Sequence, residues 1–228
     1  MRNWATRAVG ELAHRRDEIN ALNVFPVPDS DTGSNMAHTM EAAVAELDNG
    51  GDVADSLALG AVRGARGNSG MVLSQVLRGV AESTVDSVID GDVFVRSLKQ
   101  AVELVDRAIA EPVEGTVITV LKAASESAED AAAQSGATLH SIVSAAIAAA
   151  ETALERTPSQ LPALREAGVV DAGGAGLVIL LESLLAEIEG STGHTGLPEA
   201  EPTTELEVVF FFEGDIDALQ TAIAPMGD

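Results

Sequence analysis

The sequence contains no cysteine, which excludes disulfides, thiol catalysis and Cys-ligated zinc within the chain. It is also short of positive charge: 13 Lys and Arg stand against 36 Asp and Glu, for a formal net charge of −23. Nucleic acids and anionic membrane surfaces are held mainly by Lys and Arg, so neither is an expected partner. Aromatic residues make up only 3%, leaving Ala, Val, Leu and Ile to build the core. Long apolar runs are missing as well. The best candidate, Gly176 to Leu181, is stopped by Glu182, far short of a membrane span. The first twenty residues carry charges throughout and lack the apolar centre of a secretory leader. Together these features lead us to expect a soluble, cytoplasmic protein without membrane insertion.

What the sequence does have is helical periodicity. With 228 residues, 46% of them hydrophobic, there is enough material for one large domain or two small ones. Apolar stripes at three- and four-residue spacing predict about eight substantial helices. They are marked by Trp4–Leu12, Met36–Leu47, Val53–Ala61, Val72–Val80, Val95–Ile109, Val117–Ala128, Leu139–Leu154 and Leu177–Ile188. The first should end before Asn23, ahead of the prolines at 26 and 28, the fifth before Pro112 and the seventh at Pro158, with a shorter piece near Leu161 to Glu166. Gly, Ser, Thr, Pro and Glu dominate 191–204, which reads as a linker. Leu206 to Phe212 is strand-like, so 205–228 is expected to begin a second domain that is cut off.

Four segments stand out. In Asn23-Val24-Phe25-Pro26-Val27-Pro28-Asp29-Ser30-Asp31-Thr32-Gly33-Ser34-Asn35-Met36, two carboxylates lie two residues apart in a stiff loop, immediately before a helix. Hard oxygen ligands at that spacing suit Mg²⁺ with water and phosphate in the remaining positions, and a helix N-terminus favours the same phosphates. Taken alone, Asp29, Asp31 and Ser34 could equally be turn and cap residues. A calcium loop is excluded, because Ser34 and Met40 occupy the positions that need Gly and Glu.

Arg63-Gly64-Ala65-Arg66-Gly67-Asn68-Ser69-Gly70 reads as a glycine-rich loop before a helix at Met71, either an anion nest or a plain connection. It lacks the Lys of a Walker A loop. Glu114-Gly115-Thr116 reads by default as a helix cap. Val170-Asp171-Ala172-Gly173-Gly174 precedes Ala175-Gly176, and Ile179 stands where a dinucleotide fingerprint needs its third glycine. The four histidines, at 14, 38, 140 and 194, share no ligand pattern.

Taken together, the four segments resemble the DhaL-like family, the nucleotide-binding module of dihydroxyacetone kinases and bacterial fatty acid kinases. The match is nearest the N-terminal kinase domain of fatty acid kinase. The resemblance covers roughly residues 1–190 and implies an all-α, antiparallel barrel of eight helices, with all four segments at one end around ATP or ADP and one or two Mg²⁺ ions. It implies metal contacts from Asn23, Asp29 and Asp31, the two aspartates being central to catalysis. It further implies nucleotide contacts from Thr32, Gly33, Ser34, Asn35, Arg66, Gly67, Asn68, Ser69, Gly70, Thr116, Asp171, Gly173 and Gly174.

Asn23 falls where dihydroxyacetone kinases have a third Asp and fatty acid kinases have Asn, which favours the latter branch. The implied activity is ATP-dependent phosphorylation of a fatty acid carboxylate presented by a separate binding protein, with a homodimer formed through a region beyond this C-terminus. A small-hydroxyketone kinase and a nucleotide-binding regulatory module without turnover are the alternatives. One departure from the family is Ser30, where the family has Gly. If that position requires φ > 0, Ser costs ~1 kcal/mol or more.

Overall fold

The computed structural model describes residues 1–84, 88–109 and 111–191. The expected linker and second domain fall, from residue 192 onward, outside the described residues. Among the described residues ten helices follow one another: α1 (Arg2–His14), α2 (Arg16–Ala21), α3 (Thr32–Glu46), α4 (Val53–Gly64), α5 (Gly67–Ser83), α6 (Gly91–Ala108), α7 (Val117–Ala132), α8 (Leu139–Gln160), α9 (Pro162–Ala167) and α10 (Ala172–Ile188). A 3₁₀ turn, Leu47–Asn49, extends α3. The eight long helices are those the apolar stripes predict, and the two six-residue helices account for the rest.

The eight long helices close into a ring, each packing on the next: α1 on α3, α3 on α4, and so on through α8 on α10 and α10 back on α1. Short connections between sequential neighbours make the ring run up and down. Two clusters of buried apolar side chains fill it, one gathered from α1 to α5 and the other from α5 to α8. Helix α10 contributes to both, Ile179 and Leu180 to the first, Leu177, Val178 and Leu181 to the second. A helix that is apolar on every side must be buried on every side, which accounts for the run at 176–181. Among the described residues no helix is long and apolar enough to cross a membrane.

Three boundaries differ from the sequence-based expectation. The first helix breaks in two at Arg15 (φ −98°, ψ 11°). Residues 14–18 are all polar or charged, so no apolar side chain anchors that turn to the core. Helix α8 does not end at Pro158 but runs through it to Gln160. Proline removes the N–H that would bond the carbonyl four residues back. Here that carbonyl, on Leu154, accepts the Thr157 hydroxyl instead, at 2.7 Å. Finally, Gly67 to Gly70 are not a loop before a helix at Met71. They form the first turn of α5 itself, entered from an extended Arg66.

Candidate functional site

Because the ring alternates, α3, α5, α7 and α10 all begin at the same end, and their first turns surround one cavity of about 530 Å³. Asp31, Thr32 and Asn35 line it from α3; Gly67, Asn68 and Ser69 from α5; Thr116, Val117 and Ile118 from α7; and Asp171 and Gly173 from α10. The loop before α3 adds Asn23, Phe25, Pro26, Val27 and Asp29. Ala108, Ile109, Glu111 and Val113 complete the wall between α6 and α7. Segments separated by more than one hundred residues of sequence thus meet in one place.

Side-chain capping varies among the helix starts of the ring. Helices α1, α4, α6 and α8 start at the far end; the N-cap side chains of the last three (Asp52, Asp90 and Thr138) accept first-turn N–H bonds, whereas Met1 gives α1 no side-chain cap. At the cavity end, the N-cap residues of α3, α5 and α7 make no such bond. The Thr116 hydroxyl, for example, donates to Val113 O at 2.7 Å instead of capping α7. The Ser34 N–H of α3 is accepted by Asn20 and the Val117 N–H of α7 by Asp171, so it is chiefly the first turn of α5 that offers N–H groups, with the positive end of its helix dipole, to an anion.

The two acidic residues of the first segment both line the cavity. Asp31 is the N-cap residue of α3 and half-buried, whereas Asp29 is exposed. Buried Asn23 donates its amide Nδ2 to Asp29 Oδ1 at 2.5 Å, so its NH₂ group fixes the carboxylate. Ser30, between the aspartates, has φ 56°, which makes it the one non-glycine residue with positive φ among those described. The position therefore does require the left-handed conformation in which a side chain is strained.

Behind this loop, α2 braces the start of α3. Asn20 donates to Ser34 Oγ at 3.0 Å and accepts the Ser34 N–H at 3.1 Å. A Cβ on Gly33 would lie 2.3 Å from the Arg16 carbonyl oxygen, so only glycine permits this approach.

Asp171 is the exception among the caps. Its carboxylate accepts the Gly174 N–H of its own helix at 2.7 Å and also the Val117 N–H at the start of α7. One buried anion thereby ties two helix ends together. Burial pushes its pKa up from 3.8 to about 6, and the two backbone N–H bonds pull only partly against that. Its own N–H is held by the fully buried Thr157 hydroxyl at 3.0 Å.

Not every residue singled out in the sequence reaches the cavity. Gly33, Ser34, Arg66, Gly70 and Gly174 stand outside its lining. Gly33 and Ser34 face α2, and a Cβ on Gly70 would lie 2.5 Å from Thr39 Oγ1. Gly174 packs against Val120 and Leu154. Arg66 is exposed at the N-cap of α5, and Arg63 pairs with Glu46 at 3.0 Å. Sequence reasoning missed Asn20, Glu111 and Thr157. Of these only Thr157 carried a signal, since a threonine before an in-helix proline has a vacated carbonyl within reach.

Among the described residues no cluster of three or more acidic or histidine side chains forms a closed metal cage. The donor set is instead two carboxylates at a cavity mouth, which fits a hard cation that keeps waters and shares phosphate oxygens.

These features define an α-barrel domain with one acid-bearing cavity at the end where alternate helices start. The DAK2 domain model matches residues 26–186, and the chain belongs to that family. It is 40% identical over 187 residues to the protein YloV of Bacillus subtilis, covering 79% of this chain and 34% of that protein. It is 35% identical over 212 residues to an uncharacterized protein of Staphylococcus saprophyticus, covering 90% of this chain and 38% of the other. The chain thus spans little more than a third of the length of these relatives.

Its fold is similar to that of a part of the dihydroxyacetone kinase of C. freundii, whose structure is known in complex with AMP-PNP and Mg²⁺. The TM-score is 0.60 at 21% identity, over 82% of this chain and 33% of that one. The native form of the same kinase gives a TM-score of 0.60 at 20% identity.

Proposed function

We propose that this domain binds ATP with Mg²⁺ and transfers its terminal phosphoryl group to a fatty acid carboxylate presented by a separate binding protein, giving acyl phosphate and ADP. The observation that carries the nucleotide reading is the convergence of four helix starts on one cavity, the first turn of α5 among them without an N-cap bond, together with two carboxylates in the same lining. In a chain of net charge −23 a triphosphate would be repelled at long range. Helix ends and a divalent cation supply the local positive charge it needs.

Asp29 and Asp31 would hold the cation, which when bound neutralises phosphate charge. Asn23 orients Asp29, and its amide oxygen is the group it could lend to the metal. First-turn N–H groups of α5 and the Ser69 hydroxyl would hold phosphate oxygens, with Thr116 and Gly173 closing the wall. Phosphoryl transfer asks chiefly for alignment and charge neutralisation. A carboxylate acceptor is already ionised at neutral pH and needs no proton removed.

A second reading, transfer to the hydroxyl of a small hydroxyketone, is favoured by the fold shared with dihydroxyacetone kinase. A module that binds nucleotide without turnover is the third. Calorimetry with AMP-PNP tests the common element: binding is expected with Mg²⁺ and lost in EDTA or in Asp29→Asn/Asp31→Asn, and equal affinity in all three sinks it. Phosphate transfer to fatty acid with a carrier protein, compared with transfer to dihydroxyacetone, separates the acceptors. Binding with transfer to neither supports the regulatory module.

A further inference from the structure

The last turn of α8 and the first turns of α7 and α10 are joined by a short chain of buried hydrogen bonds. Pro158 has no N–H, so the Leu154 carbonyl is left without its helical partner. The Thr157 hydroxyl donates to that carbonyl at 2.7 Å. Its oxygen still has a lone pair, and it accepts the Asp171 N–H at 3.0 Å. The Asp171 carboxylate in turn collects the N–H groups of Gly174 and Val117. Thr157 has no exposed surface and does not line the cavity, while Asp171 and Val117 do. A hydroxyl in that place is therefore fully used, and in the direction of the site.

We propose that Thr157 is a positioning residue of the nucleotide cavity: acting through Asp171, its hydroxyl sets where the first turns of α7 and α10 point. The inference rests on the reading of the cavity as a nucleotide site. Pro158 couples the two tasks of the hydroxyl, because without that proline the Leu154 carbonyl would not need it. The substitution of both residues therefore separates them. In Thr157→Val/Pro158→Ala a backbone N–H returns to serve Leu154, and only the bond to Asp171 is lost.

The test uses the whole chain, with Mg²⁺ and AMP-PNP titrated by calorimetry and the Asp171 side-chain carboxyl followed by ¹³C NMR through a pH titration. Thr157→Val/Pro158→Ala is expected to stay folded, to bind Mg·AMP-PNP about tenfold more weakly and to shift the Asp171 midpoint. Thr157→Ser and Pro158→Ala, which keep the hydroxyl, are expected to stay within about threefold of the parent and to leave the midpoint in place. A folded double variant with parental affinity and an unmoved midpoint overturns the proposal. If the parent itself fails to bind Mg·AMP-PNP, the nucleotide reading falls, and the midpoint alone decides: unmoved, it overturns the Thr157–Asp171 coupling, and shifted, it sustains it.

Discussion

Asn23 and Asp29 form a donor–acceptor pair at 2.5 Å in which a buried amide steers an exposed carboxylate. The carboxylate alone could turn to solvent in many rotamers. The amide limits that choice and so prepares the oxygen for a cation. Asn23→Ala is expected to weaken Mg-dependent AMP-PNP binding about tenfold while changing stability by about 1 kcal/mol, the range for one hydrogen bond. Parallel calorimetry and urea melts check this. Unchanged affinity would show that Asp29 needs no steering.

Ser30 gives the clearest case of local strain. With φ at 56° it adopts a conformation that disfavours any side chain. Ser30→Gly is expected to raise stability by ~1 kcal/mol, less a part returned to the unfolded chain by glycine's freedom. A urea midpoint that falls on this substitution would mean that the serine side chain contributes more than the strain removes.

Asp171 makes stability depend on pH in an unusual direction. Its pKa is higher in the fold, at about 6, than the 3.8 of an unstrained carboxyl. The folded state therefore holds the proton more tightly than the unfolded chain. This contribution is complete below the unfolded pKa and is lost as pH rises through the folded one. Between pH 4 and pH 7 the parent should lose on the order of 2 kcal/mol relative to Asp171→Asn, which cannot titrate. Denaturant melts of the two proteins across that range check it, and a constant difference would place the carboxyl in a more solvated setting.

Gly33 is expected to tolerate no side chain. An added Cβ would meet the Arg16 carbonyl at 2.3 Å and Asn20 Oδ1 at 2.9 Å. The first of these is backbone and cannot swing aside. Gly33→Ala should cost about 1–3 kcal/mol, as overpacked sites do, and should weaken nucleotide binding by moving α3 off its brace. Thermal unfolding with and without Mg·AMP-PNP reads both effects, and a wild-type melting curve would sink the bracing role of α2.

Much of this was legible beforehand, and for a physical reason. Helix faces are written in local spacing, so Val95 to Ile109 or Leu139 to Leu154 announce themselves without any knowledge of their partners. The question of positive φ at residue 30 could be posed only through the resemblance to the DhaL-like family, which has glycine where this chain has serine. The continuation of α8 through Pro158 could not be read that way, since it depends on a hydroxyl replacing an N–H. The bracing of Ser34 by Asn20 was equally hidden, as nothing in the spacing of those two residues announces a contact.

The sequence by itself determined an acidic, cysteine-free, helical chain and the four short segments that carry its polar chemistry, because composition and periodicity are properties of neighbours along the chain. Only the tertiary structure decided which of those residues share a cavity. Closing eight alternating helices into a ring puts every second helix start at one end. That closure brings Asp31, Ser69, Thr116 and Asp171 together and leaves Arg66 outside the cavity lining.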